Sequence, residues 1–266
     1  MAKNFVFVGA HPDDCEIKAG GLACLLREAG HKVAFVSLTD GCKGSYIHGP
    51  KELAEIRKTE AKKATEGRGI EAVCLGVADG ELMPTLENRV KLVNELRRLK
   101  ADFVISHRPN DYHPDHRYTG VLVQDVAYML GVPGVCPESF VDGVDPVFLY
   151  FSDDFKKPNP FSPDVVIGIE RVLDDKLSLM LAHESQFFEF LPQIMKADLE
   201  TENGRPTVDE VKKWICQVWL EKPNDKKKEI LKLRGLESQE FCESFEFSEY
   251  GKVVSQQEIQ DLFYKL

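Results

Sequence analysis

The chain reads Phe5-Val6-Phe7-Val8-Gly9-Ala10-His11-Pro12-Asp13-Asp14-Cys15 near its start, a short apolar run followed at once by a polar turn. The run has the length and composition of a buried strand. A second apolar run, Phe103-Val104-Ile105-Ser106, precedes a second polar cluster, His113-Pro114-Asp115-His116. Ligand sites of open α/β sheets lie beyond the carboxyl ends of the strands. The two clusters therefore predict one metal centre built from two distant segments.

Short apolar runs alternate with helical patterns through the first half of the chain. This alternation is typical of right-handed βαβ units. It predicts an α/β fold with a Rossmann-like, mostly parallel sheet, flanking helices and a C-terminal helical extension. We expect residues 1–190 to form the core and residues 191–266 to pack on that core or at an oligomer interface. Strands are predicted at 4–9, 32–39, 72–76, 102–107, 147–151 and 165–170, and helices at 16–30, 51–66, 86–99, 117–129, 172–187 and 208–220.

The composition limits the class of protein. A chain of 266 residues with 43% hydrophobic and 29% charged residues is long enough for one large α/β domain, with or without an appendage. The net charge of −10 argues against nucleic acid or an anionic membrane as the main partner. The sequence has no apolar stretch of the roughly 20 residues that a membrane span needs, and no signal-peptide pattern at its start. Seven cysteines without a CxxC pair are expected to be free thiols in a reducing cytoplasm.

The first polar cluster has the spacing of a ligand pair. His11 and Asp14 are three residues apart, so they share a face if the turn leads into a helix. Asp13 must then point elsewhere, where it can contact a water bound to the ion. His113 and His116 repeat this spacing, and one of them can complete the ligand set. Two imidazoles and a carboxylate suit catalytic zinc or non-haem Fe(II), and a free carboxylate beside the bound water would be a general base.

Other interpretations of these residues stay open at this point. Asp13 or Asp14 could simply cap the helix that follows. His31 and His48 are interpreted as surface loop residues, and His107 as a structural residue at a strand end. Cysteines are interpreted as small apolar residues, although Cys15 lies beside the proposed ligands. His183 is more distinctive, because it lies at the end of an otherwise apolar helical stretch.

Four motifs in this sequence resemble the LmbE-like, or PIG-L, family of zinc-dependent N-deacetylases. The family's Ala-His-Pro-Asp-Asp-x-Glu motif matches Ala10 to Glu16, and its His-Pro-Asp-His motif matches His113 to His116. An Arg followed three residues later by Glu is matched by Arg57 and Glu60. A late His-x-Ser-Gln motif is matched by His183 to Gln186. The resemblance covers residues 4–190, and its first two motifs together are highly specific.

The resemblance implies a role for each matched position of the site. His11, Asp14 and His116 would hold zinc, although Fe(II) or another divalent metal has the same donor requirements. Asp13 would be the general base, and His113 would be the general acid or the oxyanion stabiliser, oriented by Asp115. The implied reaction converts an acetamide and water into acetate and a free amine.

The resemblance also implies substrate contacts. Arg57 would bind a substrate hydroxyl or an acidic aglycone, and Tyr112, next to the second motif, is a candidate for polarising the amide carbonyl. The late motif places His183 among the substrate-binding candidates. Lys43 stands where bacterial family members often carry an acidic residue, so it would either contact an anionic substrate group or stay solvated.

Three functions are compatible with the sequence. The first is a metal-dependent hydrolase in the cytoplasm that deacetylates an N-acetylated amino sugar or glycoconjugate, with a homo-oligomer compatible with the resemblance. The second is an amidase or acyl hydrolase with the same metal site and a non-sugar small molecule as substrate. The third is a non-catalytic Rossmann-like binding module. The absence of G-x-G-x-x-G after the first strand argues against the third, and a small-molecule partner is expected rather than nucleic acid or membrane.

Overall fold

A seven-stranded sheet runs through the molecule in the order β3-β2-β1-β4-β5-β9-β6. The computed structural model describes residues 1–266, apart from the side chain of Gln256. The first five strands in this order are parallel, and β9 is antiparallel to both of its neighbours. The predicted α/β fold with a mostly parallel sheet is therefore confirmed. The strands of this sheet are β1 Asn4–Gly9, β2 Lys32–Thr39, β3 Ile70–Val77, β4 Phe103–Ser106, β5 Val147–Phe151, β6 Val165–Gly168 and β9 Cys242–Gly251.

Helices cover both faces of this sheet, as the near-continuous apolar strands require. Phe5 and Phe7 of β1 pack into one apolar cluster, and Val6 and Val8 pack into another on the opposite face. A small separate hairpin is formed by β7 Thr201–Glu202 and β8 Arg205–Pro206. The helices are α1 Asp14–Glu28, α2 Pro50–Thr65, α3 Leu86–Arg98, α4 Pro114–Met129, α5 Leu173–Leu181, α6 Leu191–Ile194, α7 Val208–Val218, α8 Asp225–Lys232 and α9 Gln256–Phe263, with a π-helix at Ser185–Phe190.

The helix boundaries differ from the predicted ones where polar side chains or irregular turns intervene. α1 begins two residues earlier than predicted, and α4 begins three residues earlier, at Pro114. Proline suits the first turn of a helix because its missing N–H would have no partner there. The single helix predicted at 172–187 is instead α5 followed by the π-helix. None of the helices described is long and apolar enough to cross a membrane.

The C-terminal region contributes more than the predicted helices. Its strand β9 lies inside the sheet, between β5 and β6. The run Cys242-Glu243-Ser244-Phe245 is buried on both faces, so strand β9 has the burial of a central strand. Residues 191–266 and residues 1–190 therefore share one sheet, and the predicted extension supplies part of the core.

A buried ion pair joins β9 to a kink in α1. Ala19 has φ −148° and ψ 15°, which breaks the helix and frees the carbonyl of Ile17 and the amide of Gly21. The Glu243 carboxylate accepts hydrogen bonds from the amides of Gly21 (2.8 Å) and Leu22 (2.7 Å). The Lys176 ammonium donates to Ile17 O at 2.6 Å and pairs with Glu243. Each backbone group freed by the kink thus gains a charged partner.

Candidate metal centre

The polar residues predicted to form the metal centre gather at the carboxyl ends of β1 and β4. One segment is the turn between β1 and α1, which carries His11, Asp13 and Asp14. A second is the segment from the end of β4 to the first turn of α4, which carries His107 and His116. The rings of His11 and His116 lie 5.2 Å apart between centroids. The structure therefore brings together two sequence clusters that are about 100 residues apart in the chain.

Asp14 organises the first turn. Its Oδ2 accepts hydrogen bonds from the amides of Ala10 (2.9 Å) and His11 (2.8 Å). Gly9 allows this close approach, because a Cβ there would lie 2.7 Å from the Asp14 Cβ. Asp13 has φ +129°, a conformation that non-glycine residues rarely adopt and that clusters at functional sites. The turn is thus held in a strained shape that points the two neighbouring carboxylates in different directions.

The second segment depends on how closely α4 approaches β4. His113 caps α4, its Nδ1 accepting a hydrogen bond from the amide of Asp115 at 3.2 Å. One turn after His116, Gly120 lies against the backbone that follows β4: a Cβ there would be 2.8 Å from His107 O. The ring of His116 consequently stacks on that of His107 at 4.1 Å between centroids.

Two imidazoles each present one nitrogen to Asp14 and the other to a different carboxylate. His116 Nε2 lies 3.3 Å from Asp14 Oδ1, and His116 Nδ1 lies 3.0 Å from Asp111 Oδ1. His11 Nδ1 lies 3.5 Å from Asp14 Oδ2, and His11 Nε2 lies 3.2 Å from Asp79 Oδ1. Carboxylates only accept, so the outer nitrogens are the N–H donors. An imidazole that donates its outer N–H in this way is typical of a metal ligand.

The donor chemistry fits a divalent cation. Asp14 and the inner nitrogens of His11 and His116 could supply two imidazoles and one carboxylate, the donor set of catalytic zinc sites. Potential ligand atoms lie within 4.8 Å of one another in three overlapping groups, each of which contains one or two of these three residues. A buried oxygen, Asp115 Oδ1, has no hydrogen-bond partner among the described residues. The groups are His11-His113-His116, Asp14-His107-His116 and His11-Asp79-Asp115.

Charge in this cluster is arranged to hold a cation. Burial disfavours protonation of His11, but Asp115, Asp14 and Asp79 outweigh it and raise the pKa of His11 well above its ordinary value. Burial opposes protonation of His116 as well, but Asp14 and Asp111 raise its pKa to about 9. Although burial favours the neutral carboxyl, His116 and His107 lower the pKa of Asp14 well below its usual range. A divalent cation would supply the same positive charge to the same carboxylates.

His107 contacts Asp14 and His116 from the buried side of the site. Its side chain is buried at the end of β4, and its Nε2 lies 3.2 Å from Asp14 Oδ2. Burial and the neighbouring His116 lower the pKa of His107 to about 4. A neutral ring therefore stacks on one ligand candidate and contacts the other, which agrees with the structural role expected for a strand-end histidine.

Asp13 is paired with Arg57 behind the site. Arg57 Nη2 donates to Asp13 Oδ2 at 2.7 Å and to Pro12 O at 2.6 Å, and Nη1 donates to Gly41 O at 3.3 Å. The Arg57 side chain is only 3% exposed. The structure thus places Arg57 as a clamp on Asp13 and not at a surface that a substrate hydroxyl can reach. Burial raises the pKa of Asp13 to about 6, against the opposing effect of Arg57.

The late motif also lies below the site. His183 is fully buried, and its Nε2 donates to Glu16 Oε1 at 3.0 Å. The Glu60 carboxylate accepts hydrogen bonds from the Ser185 amide and hydroxyl, both at 2.7 Å. The substrate contact predicted for His183 therefore does not fit this structure, because the side chain has no exposed surface. The late motif instead ties the π-helix to α1 and α2.

Lys43 and Tyr112 lie at the mouth of the site. Lys43 Nζ pairs with Glu81 Oε1 at 2.8 Å, so its charge is already matched. Tyr112 is exposed, and its ring centroid lies 5.4 Å from that of His116. Cys15 lies beneath, where its thiol donates to Phe7 O and burial raises its pKa well above the ordinary value. Of these three, only the first two are accessible to a substrate.

Two carboxylates of the site were not singled out from the sequence. Asp79 follows β3, and Asp111 follows β4, so both stand just past a strand as the recognised clusters do. Each lies beside the outer nitrogen of a ligand candidate. Their position after strands was the available signal, but a lone aspartate in a loop is too common to be chosen without its histidine partner.

Comparisons with known proteins find similar sequences and a similar fold. Residues 6–127 match the PIG-L family, described as GlcNAc-PI de-N-acetylase. Diacetylchitobiose deacetylase of Thermococcus kodakarensis is 32% identical over 211 residues, which cover 75% of this chain and 76% of that protein. 4-Oxalmesaconate hydratase of Pseudomonas putida is 25% identical over 202 residues, covering 72% and 78%. The structure of N,N'-diacetylchitobiose deacetylase from Pyrococcus horikoshii superposes with a TM-score of 0.68 at 23% identity, covering 93% of this chain and 84% of that one.

Proposed function

The chain belongs to the PIG-L family, and on that basis we propose that it is a metal-dependent hydrolase that removes an acetyl group from an N-acetylated amino sugar or glycoconjugate. The observation that carries this proposal is the convergence of His11 Nδ1 and His116 Nε2 on the Asp14 carboxylate. Asp13 stands beside that convergence with a raised pKa, as a general base requires. The deacetylase relative supports the same reaction.

We propose that His11, Asp14 and His116 hold the metal and that the metal is zinc, with Fe(II) as the alternative. When bound there, a divalent metal would polarise the acetamide carbonyl and lower the pKa of a water molecule. The outer carboxylates Asp79 and Asp111 would hold the two imidazoles in their orientation.

Asp13 would accept the proton of the attacking water. Arg57 occupies Asp13 Oδ2, so Oδ1 remains for the water. The same guanidinium bonds Pro12 O and thereby fixes the turn on which Asp13 lies. Arg57 would thus orient Asp13, the proposed base, instead of contacting the substrate.

His113 would stabilise the oxyanion that develops on the acetamide carbonyl. Its Nδ1 accepts a hydrogen bond from the Asp115 amide, so the neutral ring carries its proton on Nε2. Burial and the neighbouring His11 lower the pKa of His113, so the ring stays neutral and donates a hydrogen bond through Nε2–H. Asp13 would return the proton taken from water to the leaving nitrogen. Asp115 would fix His113 through this backbone amide, while its carboxylate accepts from the Gly80 amide at 2.6 Å. Amide resonance makes protonation of the leaving nitrogen necessary.

The decisive experiment measures acetate release from a panel of N-acetylated sugars, conjugates and non-sugar acetamides, with metal analysis of the same sample. Removal of the metal with dipicolinate should abolish acetate release, and added zinc should restore it. Acetate release that is unaffected by metal removal would contradict the metal-dependent reaction. Faster turnover of non-sugar acetamides than of N-acetylated sugars would indicate that the substrate is a non-sugar small molecule.

The hydratase relative makes a second reaction testable in the same sample. 4-Oxalmesaconate hydratase is 25% identical to this chain, so a protein of similar sequence is named for a hydration reaction. Addition of water to an unsaturated carboxylate would use Asp13 and the metal, but would release no acetate. A sample that binds metal, releases no acetate and consumes such an acid would favour the hydratase function.

A further inference from the structure

Asp79 contacts two different parts of the site at once. Its Oδ1 lies 3.2 Å from His11 Nε2, on the side of the ring away from Asp14. Its Oδ2 accepts a hydrogen bond from the Lys43 amide at 3.0 Å. Lys43 belongs to residues 40–49, the glycine-rich segment between β2 and α2, which we call the β2 loop. One buried carboxylate therefore joins the imidazole to this loop.

Asp40, at the start of the β2 loop, bonds back to the segment that carries Asp79. Its Oδ1 accepts hydrogen bonds from the amide of Cys42 (3.1 Å) and from the amide of Asp79 (3.2 Å). The β2 loop and the segment after β3 thus bond each other in both directions. A shift of Asp79 must move the loop backbone, and a shift of the loop must move the carboxylate that faces His11.

Asp115 is the other carboxylate near the outer nitrogen of His11, but it is held differently. Its Oδ2 lies 3.4 Å from His11 Nε2 and accepts the Gly80 amide at 2.6 Å. Asp115 is therefore anchored to α4 and to Gly80, with no bond to the β2 loop among the described residues. Within the part of the chain that the structure describes, Asp79 alone joins His11 directly to Lys43.

We infer that Asp79 is a positioning residue: its carboxylate orients the His11 imidazole toward Asp14 and couples that orientation to the β2 loop. This inference rests on the proposed function, because it treats His11 as a metal ligand. Ring orientation is fixed by the acceptor of the outer N–H, so removal of that acceptor weakens metal binding. Since the coupling is reciprocal, metal binding also orders the loop backbone at Lys43.

Zinc binding to the full chain tests the first half of the inference. Affinity for Zn²⁺ alone is measured by competition with a chromophoric chelator for the wild type, Asp79→Ala and Asp79→Asn. Asp79→Ala should bind about 100-fold more weakly, and Asp79→Asn about 10-fold more weakly, because its amide oxygen still accepts an N–H. The matched control is Glu81→Gln, which lies in the same segment but contacts only the exposed Lys43 ammonium, and its zinc affinity should equal that of the wild type.

Hydrogen exchange at the Lys43 amide tests the second half. Zinc should slow exchange of this amide in the wild type. In Asp79→Ala the same amide should exchange faster than in the wild type, and zinc should not change its rate. Asp79→Asn, which keeps an acceptor of nearly the same shape, reports on the site if the alanine variant does not fold. A wild type that binds zinc together with Asp79 variants that bind it as tightly would overturn this inference alone. A wild type that binds no divalent metal would overturn the proposed function as well.

Discussion

Asp13 and Asp14 are neighbours in the chain, yet their surroundings give them opposite charge behaviour. Asp14 faces three imidazoles, so it stays ionised, while Asp13 is buried and its pKa is raised to about 6. The positive φ of Asp13 is the backbone feature that turns the two side chains apart. The opposite pKa shifts of these adjacent carboxylates therefore depend on the strained backbone of Asp13.

Replacement of the base should separate chemistry from metal binding. We expect Asp13→Asn to keep zinc, because Asp14 and the two imidazoles are unchanged, and to lower kcat by about 10²- to 10⁴-fold. Steady-state acetate release and metal analysis of the same sample measure both effects. Loss of zinc in this variant would show that Asp13 is a ligand.

Removal of His116, the predicted ligand on α4, should prevent metal binding. His116→Ala leaves Asp14 and His11 but removes the proposed ligand from the second segment, so we expect loss of bound zinc and of acetate release. His113→Ala is the matched comparison, since it lies three residues away, and it should keep zinc while losing turnover. Full zinc content in His116→Ala would rule out a site built from two segments.

At the scale of elements, the site depends on how closely α4 packs on the end of β4. Gly120 is the point of contact, because a Cβ there would meet the backbone of residues 107–109 at 2.8–2.9 Å. Backbone atoms cannot yield as a flexible side chain can. The separation of α4 from β4 consequently sets the separation of His116 from the first segment.

Gly120→Ala should push α4 away from β4. We expect the free energy of unfolding to fall by about 1–3 kcal/mol from overpacking, and zinc affinity to fall as His116 moves. Urea denaturation and metal competition measure the two effects. Gly131→Ala is the control, because the nearest atom to its added Cβ is Tyr128 O at 3.9 Å, and normal zinc binding by Gly120→Ala would disprove the packing argument.

The turn from α1 into β2 should make stability depend on pH. His31 Nδ1 accepts a hydrogen bond from the Lys3 amide, and burial together with nearby positive charge lowers the pKa of His31. The unfolded imidazole, with a pKa of about 6.5, then binds the proton more readily than the folded one. This contribution is complete above pH 6.5 and declines as the pH falls through that value toward the lower folded pKa.

Chemical denaturation at pH 7.5 and pH 5.5 measures this effect by comparison with His31→Asn. The asparagine keeps an acceptor for the Lys3 amide but does not titrate. We expect the wild type to lose more unfolding free energy than the variant over this interval. Equal losses in both proteins would mean that His31 does not contribute to the pH dependence.

At the scale of the whole molecule, the pair Lys176–Glu243 holds the last strand against the first helix. Glu243→Ala would leave a buried ammonium without its counter-charge and two helix amides without acceptors, so we expect the free energy of unfolding to fall by about 3–5 kcal/mol. Glu240→Ala is the control on an exposed neighbour, with an expected change of less than about 0.5 kcal/mol. Similar stability of the two variants, measured by urea denaturation, would refute the role of the pair.

Much of the parallel sheet could be predicted from local sequence, because a strand buried on both faces is a short apolar run. The bounds of β1 and β2 follow directly from their runs. The place of β9 could not be predicted, since the order of strands depends on contacts between residues far apart in the chain. Asp79 and the burial of His183 escaped prediction for the same reason: each depends on a partner, His11 or Glu16, that only the fold supplies.

The kink in α1 has a consequence for the order in which the molecule is made. Gly21 and the Glu243 carboxylate that it bonds are separated by 222 residues. Protein synthesis proceeds from the amino end, so the helix that begins at Asp14 leaves the ribosome long before the strand that completes it. A nascent chain thus holds the turn of the proposed ligands on an unfinished helix until the residues around Glu243 have been translated.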